Sequence, residues 1–355
     1  MKQLTFFIFI LLMISTACEE LPVDTIYYDF GNSRGVFISN EGNFMYGNSS
    51  LTYYDKEKKK AFNQVFYARN NAPLGDVAQS LAFNGKTLFI MVNNSGRIYG
   101  IDPETAAYKG VITGLVSPRY MHFLNAEKAY VSDLYARKIW IVNPEKYTLS
   151  GSITLSDGST NSARHASEQF LKVGNLIYVS CWSYDDYLLV IDPSADEVID
   201  SIKVPLQPRD MVYDRFGKVW VLSDGGYEGS PAGFENPALS RIDPETRTIE
   251  RIFRYRREEG IPSGLVLNRT SDTLLYIQQG IRQMAVKGTV LPGTAFIPPE
   301  GRLFFSLAID PDTGEIYAAD AIDYSQSGVV YRYSPGGKLV DSFRAGINPG
   351  AYWFN

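Results

Sequence analysis

"YGIDPET", Tyr99 to Thr105, sets a short strand-like run directly before Asp-Pro, and the phrase recurs down the chain. It returns as "IWIVNPEK" ending at Lys146, "LLVIDPSA" ending at Ala195 and "LSRIDPET" ending at Thr246. Looser forms are "LTYYDKEK" near Asp55 and "VYRYSPGG" near Pro335. Proline pre-sets φ, and the Asx side chain bonds nearby backbone, so each phrase reads as a strand entering a tight turn. A further alternating strand follows each turn, as in "YTLSGSITL" and "RTIERIFRY".

Working outward, each phrase is preceded by a strand rich in β-branched and aromatic residues: "LFIMVN", "AYVSD", "IYVSCW", "VWVLSD", "LLYIQQ" and "IYAAD". Ahead of those lies a strand that opens on proline or a small residue. Examples are "PRYMHFLN" at 118, "PRDMVYDR" at 208, "PSGLVLNR" at 262 and "AQSLAFNG" at 78, and "FSLAIDPD" near 305 fills the same slot. Four short strands per unit, recurring roughly every 40–50 residues, is the spacing of propeller blades. Seven units start near Gly35, Gly75, Ser117, Ser167, Gln207, Ile261 and Arg302. A flat meander or two-sheet sandwich is the alternative, and neither requires such recurrence. The first unit opens on a second-strand phrase, "GVFISN" (Gly35 to Asn40), while the chain ends on "NPGAYWFN" (Asn348 to Asn355), an innermost-strand phrase. The expected fold is an all-β, seven-bladed β-propeller over 35–355, closed by the C-terminal strand, with Tyr352, Trp353 and Phe354 buried and no free sheet edge at the closure.

Bulk properties agree. A chain of 355 residues fits one all-β unit, and 45% hydrophobic against 21% charged residues excludes a disordered chain. A net charge of −5 speaks against nucleic acid as a partner. The basic run Asp55 to Lys60 falls where a turn is expected and reads as solvated.

The first residues read as a targeting signal. Lys2 precedes an apolar run, Leu4 to Ile14, too short to span a bilayer. Thr16-Ala17-Cys18 resembles a lipobox, although Ser15 stands where leucine is usual. The resemblance implies a lipoprotein signal peptide over 1–17, acylation of Cys18 and a lipidated tether over 18–34. "CEELP" resembles the acidic export mark of some Gram-negative surface lipoproteins, which implies a lipid-anchored protein on the outer face of the outer membrane. The alternative is an ordinary signal peptide with an incidental cysteine. Cys181 is then left without an intrachain disulfide partner and reads as a half-buried small hydrophobe.

No His/Cys/Asp/Glu group has zinc spacing, and no phosphate loop or nucleophile elbow is present, so neither enzyme, cofactor nor metal is expected. His122 reads as a satisfied core residue, His165 as part of a polar loop, and "DPDTGE" (Asp310 to Glu315) as a turn. The suggestive residues lie in loops expected at one end of the ring. The candidates are Tyr46, Asn93, Arg119, Tyr135, Arg137, Trp182, Tyr184, Asp185, Arg209, Tyr227, Gln279, Arg282 and Tyr324, beside Phe44, Asn94 and Gln278. Arg119 and Arg209 follow equivalent prolines and should converge. Flat rings with amide and guanidinium groups suit a bulky, amide-bearing ligand. The alternative is ordinary loop composition that lines nothing.

With its lipobox-like start and "IDPET" turns, the chain resembles the YncE/YVTN-type propeller lipoproteins. One branch of these, the BtuG-like proteins, captures cobalamin at the cell surface for a TonB-dependent transporter. The resemblance therefore implies a corrinoid ligand and such a transporter as partner. Two other classes stay open: a glycan-binding adhesion propeller, and a lactonase with metal at its centre. Replacing Cys18→Ala should abolish acylation and membrane fractionation. Wild-type protein whose mature N-terminus carries no lipid would exclude the anchor.

Overall fold

A computed structural model describes residues 25–31, 33–155 and 165–355. The expected signal peptide and Cys18 lie outside the described residues. The repeated turn forms as its chemistry dictates. Asp102 Oδ1 accepts the N–H groups of Glu104 (2.9 Å) and Thr105 (3.1 Å), and Asn143 Oδ1 those of Glu145 (3.0 Å) and Lys146 (2.9 Å). The fourth residue after each Asx (Lys59, Ala106, Tyr147, Asp196 and Arg247) is left-handed, with φ between 49° and 59°. That reverses the chain into the outermost strand.

The described residues form seven antiparallel sheets arranged as blades. Their innermost strands are Pro349–Phe354, Ala78–Phe83, Pro118–Asn125, Ser167–Val173, Pro208–Tyr213, Ser263–Leu267 and Phe304–Ile309. Each touches the next in that order, and the last returns to the first, so the ring is closed. We number the blades 1 to 7 in the same order. The second strand of a blade is pressed between neighbours on both faces. Leu88–Val92 and Val219–Ser223 are accordingly buried at every position, and such strands read as unbroken runs rather than alternation. Apolar clusters fill the gaps between blades. Tyr130 and Ile139 of blade 3 meet Ile177, Val179 and Leu189 of blade 4, and Trp220 and Leu239 of blade 5 meet Leu274 and Tyr276 of blade 6.

Four details depart from expectation, the last of them in the closing strand. Blade 6 has three strands, not four. Its outer edge is covered by an irregular segment carrying Pro292, Pro298 and Pro299, which touches the edge through one bridge, Ile281 to Ile297. Proline cannot donate to a ladder, so no fourth strand forms there. A short helix, Val65–Asn70, buries Val65 and Phe66 where a loop was expected. Cys181 is fully buried rather than half-buried. Among the described residues no helix is long and apolar enough to cross a membrane.

The tail closes the ring, with Val36, Phe37 and Ile38 opposite Phe354, Trp353 and Tyr352. These three aromatics are half-buried, not buried, because the innermost strand borders an axial cavity. They alternate between neighbours. Trp353 lies 4.5 Å from Phe83 of blade 2, and Phe354 lies 5.1 Å from Tyr317 of blade 7. Burying a whole Phe or Trp side chain is worth about 3–5 kcal/mol, so half-buried Trp353→Ala should cost about 2 kcal/mol. Deleting Asn348 to Asn355 should lower the melting temperature much further or cause aggregation. A melting curve unmoved by the deletion would contradict the closure.

Candidate functional site at the channel mouth

Every innermost strand carries an extra residue near its start. The pairing register slips at Gln79, between Pro118 and Met121, between Ser167 and Phe170, at Arg209, between Ser263 and Val266, at Phe305 and at Gly350. A bulge re-aims its side chain and leaves backbone groups unpaired. The neighbouring blade satisfies several of these groups. Ser80 Oγ donates to Arg119 O (2.5 Å), Ser180 Oγ to Arg209 O (2.9 Å) and Ser306 Oγ to Pro349 O (2.5 Å). Asp210 Oδ2 accepts the N–H groups of Gly264 (2.9 Å) and Leu265 (3.2 Å).

The second residues of the seven strands form the mouth of the axial channel: Gln79, Arg119, Glu168, Arg209, Gly264, Phe305 and Gly350. Arg119 is buried and grips Glu168 with two bonds, Nε to Oε2 (2.7 Å) and Nη2 to Oε1 (2.6 Å), while its Nη1 donates to Gln79 Oε1 (2.5 Å). Both guanidiniums meet at Trp182. Arg119 and Arg209 each lie 5.7 Å from its ring centroid, and its Nε1 donates to Asp224 Oδ2 (2.8 Å). The convergence expected from Pro118 and Pro208 is thus present. Arg209 is less well satisfied: its Nε has no hydrogen-bond partner, and its ion pair with Asp210 is long, at 3.9 Å.

Glu41 reaches the mouth from the loop after Gly35–Asn40 because position 350 has no side chain. A Cβ there would stand 2.9 Å from Glu41 Oε1. Burial raises the Glu41 carboxyl above the usual range, and Arg119 and Arg209 pull the other way without cancelling it. Below the mouth runs a cavity of about 860 Å³, lined mainly by blades 6, 7 and 1. It is off-centre because two of the three bulges on that side are glycines, Gly264 and Gly350.

Around the mouth the rim is aromatic. Tyr46 is 78% and Tyr135 65% exposed. The hydroxyls of Tyr184 and Tyr227, on neighbouring blades, lie 3.1 Å apart, and Tyr324 stands edge-on to Phe305 at 6.0 Å. Arg137 and Gln279 are exposed at left-handed turn positions. Three expected site residues are instead spent inside the protein. Asn93 Nδ2 donates to Ser117 Oγ (2.7 Å), Asp185 bonds His165 Nδ1 (2.8 Å), and Arg282 donates to the carbonyls of Gln278 (3.0 Å) and Pro292 (3.2 Å). Sequence reading missed Glu41, Gln79, Glu168, Asp210 and Phe305. Four of these sit at or beside the bulge, so aligning all seven strand starts would have found them. His122 is half-buried with an unpartnered Nε2, not satisfied as expected. "DPDTGE" is a turn, with Asp310 Oδ1 accepting from Asp312 (2.9 Å) and Thr313 (3.2 Å), and Oδ2 paired with Lys56 (2.8 Å).

A family described as "Domain of unknown function (DUF5074)" matches residues 34–257. No curated protein matches the chain. Among solved structures, a quinonprotein alcohol dehydrogenase-like protein of Bacteroides thetaiotaomicron is 14% identical, with a TM-score of 0.66 over 92% of this chain and 79% of that one. A Lactobacillus plantarum protein is 13% identical, with a TM-score of 0.66 over 91% and 99%. A provisional 6-phosphogluconolactonase of Bacteroides fragilis is 11% identical, with a TM-score of 0.63 over 91% and 98%. At such identities the likeness is one of fold.

The mouth carries a pH signature. A carboxyl whose folded pKa is raised favours folding below its unfolded pKa and loses that contribution as pH rises through the folded value. Glu41→Gln should therefore raise the melting temperature at pH 7 and leave it nearly unchanged at pH 4. Equal effects at both pH values would show that Glu41 is solvated.

Proposed function

The chain belongs to the DUF5074 family, and within that family we propose that it is a non-enzymatic capture protein whose channel mouth takes up a corrinoid. The observation that carries this reading is the Arg119–Trp182–Arg209 stack, encircled by exposed tyrosines from several blades. Large planar ligands gain apolar area against aromatic rings at low entropic cost, and amide arms accept hydrogen bonds from guanidinium and phenol groups. A macrocycle lies across the rim, and a side arm reaches Arg209, whose side chain is 40% exposed at the mouth. Cys18 supplies the lipid anchor at the outer-membrane surface, and a TonB-dependent transporter receives the cargo. A glycan would use the same rings and is the second reading. A metal-centred lactonase is favoured less, because carboxylates at the mouth are already engaged, Glu168 by Arg119 and Asp210 by the backbone of blade 6.

Calorimetric titration with cyanocobalamin tests the proposal. Truncating an aromatic or arginine anchor commonly costs about 2 kcal/mol, so Trp182→Ala and Arg209→Ala should each weaken binding roughly thirtyfold without unfolding the ring. Heat with oligosaccharides but not with corrinoids would favour the glycan reading. Binding that survives both substitutions would move the site elsewhere.

A further inference from the structure

The residue that ends the second strand differs from blade to blade, being Asn40, Val92, Ser223 and Ile277 in blades 1, 2, 5 and 6. In blades 3 and 7 that position is an aspartate that collects N–H groups. Asp133 accepts from Val116 (2.9 Å), Ser117 (3.0 Å) and Ala136 (3.0 Å), and Asp320 from Leu303 (2.9 Å) and Ile322 (2.8 Å). In blade 4 the same register position, opposite Ser167, is Cys181. An acid lies four residues further on, at Asp185, and a histidine, His165, faces both. Cys181 is 0% and Asp185 4% exposed, and one donor atom from each of the three residues lies within 4.8 Å of the other two. Closing a fold does not require a thiol, an imidazole and a carboxylate to be brought together.

We propose that His165, Cys181 and Asp185 bind one zinc ion. A mixed sulfur, nitrogen and oxygen set suits zinc, and three protein donors leave one tetrahedral position to water. Tetrahedral bond lengths place donor atoms about 3.3–3.7 Å apart, so the widest pair needs to close by about 1.5 Å at most, while His165 Nδ1 and Asp185 Oδ2, now 2.8 Å apart, open slightly. The framework holding it is rigid. Trp182 N donates to Ala166 O (3.1 Å), which fixes the His165 and Cys181 strands side by side, and Asp185 Oδ1 is oriented by the N–H of Asp186 (2.8 Å). On binding, the thiol proton leaves to solvent, and the proton that His165 Nδ1 shares with Asp185 Oδ2 is given up to solvent while Nε2 takes one from it, so the ring stays neutral and Nδ1 is free to bind the ion. The ion reaches the site from the His165 side, where that side chain is 18% exposed. Once bound, it pins the loop carrying Trp182 and Tyr184 to the strand carrying Glu168, so occupancy stiffens one side of the channel mouth.

Chelator-treated, reduced protein titrated with cobalt(II) tests the assignment. One equivalent should give a sulfur-to-cobalt charge-transfer band with tetrahedral ligand-field absorption, and zinc should displace it and raise the melting temperature. Cys181→Ser should abolish the band and weaken zinc binding more than about a hundredfold. If that variant does not fold, His165→Gln, altered nearer the surface, decides by the same loss. Folded wild-type protein with no band and no zinc-dependent melting shift would overturn the proposal. So would a band that persists in Cys181→Ser or His165→Gln.

Discussion

The bulge at the second residue of each innermost strand is the constraint on which the rest of the molecule depends. A regular ladder would point every side chain at a neighbouring blade and leave the axis lined by backbone. One extra residue turns a side chain toward the axis and frees backbone groups that the ladder no longer pairs. Buried backbone groups need partners, and the adjacent blade supplies them through Ser80, Ser180, Ser306 and Asp210. Ser180 serves two blades at once, accepting from Gln169 N (3.1 Å) and donating to Arg209 O (2.9 Å). The feature that creates the site also joins the blades. Axial chemistry is therefore set by a few positions that leave the interblade cores untouched.

Those positions carry unequal charge satisfaction. Removing a guanidinium and a carboxylate from water is costly unless geometry and extra hydrogen bonds compensate. Arg119 meets that condition through Glu168 and Gln79. Arg209 does not, since Asp210 is committed to the backbone of blade 6 and stands 3.9 Å away. Exposed pairs on the outer strands, such as Arg254 with Glu235, contribute little by comparison. The mouth thus contains one guanidinium locked as structure and one held ready, both against the same tryptophan.

Most of the fold was legible because its decisive signal is local. An Asx side chain capping its own turn, followed by a left-handed residue, needs no long-range information, and it recurs often enough to set the blade spacing. Pairing the tail with the first blade followed from comparing phrases. Blade 6 lost its fourth strand to prolines that the repeat count passed over. The site was legible in part. Arg119, Arg209 and Trp182 stood out by residue type at a repeated position, whereas Glu168 and Gln79 occupy the same position with less conspicuous chemistry. Asn93, Asp185 and Arg282 were misleading for a physical reason. The groups that recognise ligands also satisfy buried backbone and side chains, and a sequence does not say which demand is met first.

The glycines of the ring explain why the cavity and the rim offer different kinds of contact. Blades 2 to 5 fill their share of the axis with Gln79, Arg119, Glu168 and Arg209. Blades 6 and 1 place Gly264 and Gly350 there, and the cavity of about 860 Å³ opens on their side. An object as wide as a macrocycle cannot descend past the polar half of the ring, but a slender arm can descend past the glycine half. Arg209 and Glu41 flank that passage, one a cation short of an acceptor and the other a carboxyl whose burial favours its protonated, donating form. A ligand broad at one end and carrying carbonyl or amide arms would use both levels at once, with its ring on the tyrosines and its arm between those two side chains. A short oligosaccharide would engage the tyrosines alone, which makes Arg209 and Glu41 the residues whose contribution separates the two readings.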